Sequence, residues 1–165
     1  MTVASDDFKR ALSRWASGVS VVTAEVQGAV YGLTVSSFSS VSLDPPLVSV
    51  CLANDNRCVS MIEAGGGFAV SILGAQHQGV SNAFAGRGRE PTTTLDTIGL
   101  SRTPSGHAVV PEALGWLGCS VHELVRAGDH TIVIGRVLAT GTAPSERPAP
   151  LLYFDRAYCS VFAAS

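Results

Sequence analysis

Two runs rich in β-branched residues, Val19 to Val26 and Ala29 to Val35, flank the pair Gln27-Gly28. Such runs separated by a two-residue glycine turn predict a β-hairpin. Leu47 to Leu52 is a short apolar run after the breaker Asp44-Pro45-Pro46, and it predicts a strand. Phe68 to Leu73 predicts another. From Trp116 to Leu124 the alternation puts Leu117, Cys119 and Val121 on one face and Gly118, Ser120 and His122 on the other. Ala127-Gly128-Asp129 reads as a turn into the next strand, Thr131 to Thr140. Leu151 to Phe154 and Tyr158 to Phe162 close the chain as short strands.

Helical spacing is confined to three places. Near the N-terminus Ser5 and Asp6 can cap a helix that places Phe8, Leu12 and Trp15 on one face and ends at Gly18. Asn56 to Ala64 is helical until the glycines at 65 to 67, and Gln76 to Ala85 is the third. Gly86 to Gly106 is polar and reads as a long surface excursion, and Ala143 to Pro150 as a Pro-rich loop. About eight strands, three short helices and no regular strand–helix alternation predict a mainly β fold. The expected form is an antiparallel barrel with peripheral helices.

Composition narrows the function. The 165 residues suit one domain spanning 1 to 165. Hydrophobic residues make up 46% and charged residues only 15%, so apolar surface covered by a second copy or partner is expected. A net charge of −2 argues against a nucleic-acid surface. No apolar run is long enough to span a bilayer, and the first ten residues lack a signal-peptide core, so a cytoplasmic protein is expected. Cys51, Cys58, Cys119 and Cys159 form no Cys-x-x-Cys pair, which predicts buried free thiols rather than disulfides or a metal site. Gly-x-Gly-x-x-Gly, phosphate-loop, His-Glu-x-x-His and Gly-x-Ser-x-Gly motifs are absent.

Four segments carry candidate chemistry. Thr34 to Ser42 holds five serines between Ser36 and Ser42. Serine hydroxyls compete for backbone bonds, so the segment is expected to leave the sheet. It is then either a plain serine-rich loop or a row of donors for a flavin ring edge and a phosphate. Ala127 to Thr131 is either an ordinary hairpin turn or a support for His130 as a hydrogen-bonding or proton-shuttling group. In Tyr153 to Tyr158, Arg156 either pairs with Asp155 or holds a phosphate or ribose while the aromatics stack on a base. Arg87, after the helix ending at Ala85, either complements that helix end or reaches a phosphate. His77, His107 and His122 read as surface or loop residues.

Taken in order, these motifs resemble the short-chain flavin reductase family, the reductase halves of two-component flavin-dependent monooxygenases. The resemblance rests on Gly18 to Thr23, Gly32 to Phe38, Val41 to Val48, Asn82 to Ala85, Gly128-Asp129-His130 and Tyr153 to Tyr158. It covers about residues 7 to 162. It implies a split β-barrel that binds FMN or FAD at a homodimer interface and is reduced by NADH or NADPH. Thr34, Val35, Ser36, Ser37 and Phe38 would line the flavin ring edge, mostly through backbone atoms. Cys51, Leu52 and Ala53 would follow the ribityl chain, and Ser60 with Ser37 and Arg57 would hold the phosphate. Phe84 and Arg87 would approach the flavin from the next helix. His130 would lie near the nicotinamide, and Arg156 and Tyr158 would hold the pyridine nucleotide. No arginine cluster marks a 2′-phosphate site, which favours NADH.

The implied activity is hydride transfer from the nicotinamide to the flavin, with reduced flavin passed to a separate oxygenase. Two other readings remain on the same barrel. One is a pyridoxamine-phosphate oxidase-like enzyme with tightly bound FMN, which the single lysine and scattered arginines disfavour. The other is a non-catalytic flavin- or haem-binding dimer, which needs neither His130 nor the Tyr153 to Tyr158 segment.

Overall fold

The runs on either side of Gln27-Gly28 form the hairpin β2 (Ser20–Val26) and β3 (Ala29–Val35). Gln27 and Gly28 take φ values of 51° and 82°, the left-handed conformation that a primed two-residue turn requires. The computed structural model describes residues 3–86, 89–143 and 149–161. Around the hairpin lie α1 (Ser5–Leu12), β1 (Ser17–Gly18), β4 (Ser39–Leu43), β5 (Pro46–Ala53), α2 (Arg57–Gly65), β6 (Gly67–Ile72) and α3 (Gln78–Ala85). Then come β7 (Ser101–Arg102), β8 (Ala108–Val109), β9 (Gly115–Ala127), β10 (His130–Thr142), β11 (Leu152–Phe154) and β12 (Ala157–Cys159).

Seven strands pair antiparallel in the order β3-β2-β6-β9-β10-β5-β4. The two edge strands, β3 and β4, are neighbours in sequence, joined by residues 36–38 alone. Laid flat, six strand spacings would separate these edges by about 29 Å. The chain from Val35 to Ser39 reaches at most about 14 Å. The sheet therefore curls until its edges meet, and the barrel is split at the β3–β4 seam. A single interior cluster agrees. It takes Val22 from β2, Val35 from β3, Leu52 from β5, Phe68 from β6, Cys119 from β9 and Val133 from β10. Cys58, Val59, Met61 and Ile62 of α2 pack into the same cluster.

A second core covers the outer face of β2 and β3. Alternation sends Val22 and Ala24 inward and Val21 outward, so β2 is buried on both sides. Val21 and Val30 meet Phe84 of α3, Leu73, Leu100 and Leu151. The predicted surface excursion of 86 to 106 is thus only partly on the surface, because Leu95, Ile98 and Leu100 pack here and Ser101–Arg102 pairs with Ala108–Val109. His77, expected at the surface, is buried. Its Nδ1 accepts from the Gly74 N–H at 3.1 Å and its Nε2 donates to the Pro111 carbonyl at 3.1 Å.

The ends of the elements follow local chemistry. Asn56 caps α2 by accepting from the Cys58 N–H at 2.9 Å, and Gly66 closes it in the left-handed region at φ 69°. The serine run leaves the sheet only at 36–38, and Ser39–Leu43 returns as an edge strand on which Ser39 and Ser40 are exposed and Ser42 is half-buried. The first helix differs from expectation. Ala4 is its N-cap residue without a side-chain bond, and it ends at Leu12 rather than running toward Gly18. The Arg14 and Trp15 N–H groups bond three residues back, which tightens the chain out of the α-helix. None of its residues is buried, and Phe8, Leu12 and the following Trp15 are all exposed. Among the described residues no helix is long and apolar enough to cross a membrane.

Candidate functional site

Beside the seam, one hydroxyl ties the β3–β4 connection to β5. β4 starts at Ser39 opposite Ser49, so Cys51, two residues further along β5, has no strand partner on that side. Ser37 Oγ takes the place of one: it accepts from the Cys51 N–H at 3.0 Å and donates to the Cys51 carbonyl at 2.9 Å. Ser37 and Cys51, both predicted site residues, are therefore held together. The Ser37 proton is already committed, which leaves that hydroxyl only acceptor capacity rather than a free donor for a phosphate.

Beyond Cys51, Ala53 lies opposite His130 in the β5–β10 ladder. Asn54 clamps the preceding turn. Its Nδ2 donates to the Gly128 carbonyl at 3.1 Å, its N–H to the Asp129 carbonyl at 2.9 Å, and its Oδ1 accepts from Thr131 Oγ1 at 2.7 Å. His130 is fixed on this rigid turn. Its Nδ1 donates to Asp129 Oδ1 at 2.8 Å, which leaves Nε2 as the free atom of a half-exposed ring. That bond holds the Asp129 carboxyl below its ordinary range.

Next to this corner, at the start of α2, is a cleft of about 220 Å³ lined by Tyr31, Ala53, Asp55, Asn56, Arg57, Arg89 and Glu90. Arg57 occupies the first turn of α2, where a cation gains nothing from the helix dipole. It is ion-paired to Glu90 instead, and the hydrogen bond and charge of Glu90 raise its pKa. Arg89 lies with its guanidinium carbon 4.9 Å from the centre of the Phe84 ring, and its Nε is buried with no partner among the described residues. An orphaned guanidinium nitrogen beside a second arginine fits an anionic oxygen. The volume admits a phosphate and a few carbons, less than the roughly 300 Å³ or more of a pocket for a whole small-molecule ligand. Ser60 sits one turn into α2, exposed, with Oγ bonded to the Arg57 carbonyl at 2.9 Å, and does not line the cleft.

Other predicted residues hold the scaffold. Thr34 Oγ1 donates to the Ser81 carbonyl at 2.7 Å, and Tyr158 OH bonds Ser81 Oγ at 2.9 Å, so β3, α3 and β12 are tied at one residue. Val35 and Leu52 are core side chains, and Phe38 packs partly against the same core. These three can offer a ligand little beyond backbone. Phe84 is completely buried against Gly32, so its ring supports Arg89 rather than facing the cleft. Ser36 is exposed. Arg156 is an exposed turn residue at φ 66°, and Asp155 engages Ser13 and Arg14 rather than Arg156. Arg87 lies outside the described residues.

Arg89, Glu90, Tyr31, Asn54 and Ser81 were not singled out from the sequence. Arg89-Glu90 falls in the excursion read as bulk surface, and its only signal was a charged pair soon after a helix end. The four cysteines are free as expected, with burial pushing the Cys58 and Cys119 thiols up to about 12. Cys51 is half-buried, and Cys159, expected to be buried, is exposed. A larger cavity of about 740 Å³ lies by Trp116, Val110 and Thr142. It is about 40 Å of strand from His130 along β10, and none of the predicted residues lines it. Among the described residues no three His, Cys, Asp or Glu side chains cluster as metal ligands.

The flavin reductase like domain family matches residues 12–161. NADH-dependent flavin reductase StyB of Pseudomonas fluorescens is 38% identical over 153 residues, 92% of this chain and 86% of that protein. The reductase component of 4-hydroxyphenylacetate 3-monooxygenase of Thermus thermophilus is 38% identical over 151 residues, 92% and 93% of the two chains. Among solved structures, flavin reductase PheA2 in its native state superposes with a TM-score of 0.84 at 33% identity, over 96% of this chain and 99% of that one. Streptomyces globisporus C-1027 NADH:FAD oxidoreductase SgcE6, in complex with NAD and FAD fragments, gives 0.86 at 29% identity over 99% and 98%. The mainly β antiparallel split barrel is the architecture shared with these reductases.

Proposed function

The chain belongs to the flavin reductase like domain family, and on that premise we propose that it oxidises NADH, reduces FMN or FAD, and passes the reduced flavin to a separate monooxygenase component. The observation that carries this reading is the corner where the Arg57–Arg89 cleft adjoins the turn bearing His130. Two guanidinium groups suit a flavin phosphate, and the clamped histidine suits the second nucleotide.

Nicotinamide and flavin supply the hydride donor and acceptor when bound. The chain supplies position. Arg57 and Arg89 hold the phosphate end, and the backbone of 34–38 and 51–53 runs along the rest. His130 keeps Nε2 free because Asp129 occupies Nδ1, and that atom holds the nicotinamide end of NADH. Asn54, just past β5, is tied to the turn by two hydrogen bonds and to Thr131 of β10 by a third, so the two ligands are presented by one rigid unit. The cleft is too small to enclose a ring system. A second copy of the chain closes over it, and the exposed Phe8, Leu12 and Trp15 are available to be covered in that homodimer.

NADH oxidation followed at 340 nm, with and without FMN, FAD and riboflavin, tests the activity. Turnover is expected to rise and saturate with flavin in a preparation that sediments as two chains. No turnover with any flavin overturns the reading. In the same assay His130→Ala raises the KM for NADH about tenfold, the loss expected for one hydrogen bond to a nucleotide. The KM for flavin stays within about twofold. An unchanged KM for NADH removes His130 from the nucleotide site. The histidine is held by an ionised Asp129 whose folded pKa is depressed. The support is therefore fully present above the ordinary carboxylate range and is lost only as pH falls through the depressed folded value beneath it.

A further inference from the structure

We propose that Glu90 is an internal anion that occupies Arg57 until a flavin phosphate displaces it, and so sets how strongly the site prefers phosphorylated flavins to riboflavin. This deepens the proposed function and rests on it for the identity of the ligand.

The cleft contains two arginines and two carboxylates, Asp55 and Glu90. With both acids in place it is electrically balanced, and a phosphate carrying up to two charges gains little by entering. The two acids are not equivalent. Glu90 is the carboxylate in contact with Arg57, whereas no such contact joins Asp55 to either arginine among the described residues. The Glu90 side chain is 75% exposed and lies on the segment after α3, outside any regular element. An exposed ion pair is weak and readily exchanged. The Arg57 side chain is also 44% exposed, so an incoming anion can reach it from solvent. Arg89 completes the exchange, since its buried Nε has no partner among the described residues in the Glu90-paired arrangement. Entry of a phosphate thus swaps one carboxylate–arginine contact for contacts to two arginines. Riboflavin has no phosphate and leaves the Glu90–Arg57 pair undisturbed.

The consequence is a cost charged only to phosphorylated flavins. It keeps their affinity moderate, as suits a protein that must let reduced flavin go. Glu90 acts as a specificity-determining residue for the flavin without touching the reacting atoms.

The test is Glu90→Gln in the full chain, with binding of FMN and riboflavin read by flavin fluorescence and binding of inorganic phosphate read by thermal stabilisation. The expected result is an FMN Kd about fivefold lower, equal to about 1 kcal/mol, with phosphate acting at correspondingly lower concentration. The riboflavin Kd stays within about twofold. In an Arg57→Ala background the same substitution leaves the FMN Kd unchanged. Glu90→Ala repeats the measurement with the side chain removed. Unchanged FMN and phosphate affinities, or an equal gain for riboflavin, overturn the proposal. The phosphate reading needs neither NADH nor turnover. Failure of the wild type to oxidise NADH would instead overturn the proposed activity, and the two failures are told apart.

Discussion

Phe84→Ala lowers the unfolding free energy by about 3–5 kcal/mol, the cost of deleting a phenyl ring from a packed interior. The ring is completely buried in the second core, packed against Val21, Val30 and Leu100. It lies so close to Gly32 that a Cβ there would stand 2.4 Å from a ring carbon, and the absence of a side chain at 32 is what admits it. Neighbours that are this tightly set cannot collapse fully into the void, so the cavity term adds to the lost burial. For a chain of this length the midpoint of thermal unfolding falls by roughly 6–20 °C. Urea unfolding with an unchanged slope separates this from a change in the unfolded state. The ring also supports the Arg89 guanidinium, so FMN binding weakens with it. A loss below about 1 kcal/mol would mean that α3 does not seal this core.

Arg57→Ala raises the Kd for FMN by about 10- to 100-fold, the range for a charge-assisted hydrogen bond at roughly 1.5–3 kcal/mol. Riboflavin binding changes by less than about threefold, because the lost contact is to the phosphate. Stability is little altered. Arg57 is a cation in the first turn of α2, a position the helix dipole disfavours, and its partner Glu90 is exposed. Fluorescence titration of both flavins against a variant with unchanged thermal midpoint isolates the effect. Equal loss for both flavins would place Arg57 at the ring or the ribityl chain rather than at the phosphate.

The longer strands β2, β3, β5, β6, β9 and β10, the closing pair β11 and β12, and two of the three helices were legible because each is specified locally. Gln27-Gly28 can take left-handed angles, Asn56 can cap, and the glycines after Ala64 can stop a helix. Residues whose state depends on distant partners were not legible. The serine run looked destined for a loop, yet Ser39–Leu43 is a strand because an edge has one unpaired side that tolerates serine. Phe84 reads as an aromatic at a helix end, and only the packing of α3 on β3 shows that it is core. His77 looks like any loop histidine until the Pro111 carbonyl is placed beside it. At the candidate site, Ala53 lines the cleft with Arg57 and lies opposite His130 in the ladder. Arg89 and Glu90 escaped notice because a charged pair in a polar stretch has no periodicity to mark it.

The Ser37 hydroxyl that ties the β3–β4 connection to β5 has a dynamic consequence. Most amides of the seven-stranded sheet are protected from solvent exchange by ladders that open only when whole strands separate. The Cys51 amide is held on its seam side by Ser37 Oγ alone, and a side chain can swing away in nanoseconds without any strand moving. Deuterium uptake at Cys51 therefore gauges local breathing of the barrel wall, independently of global unfolding.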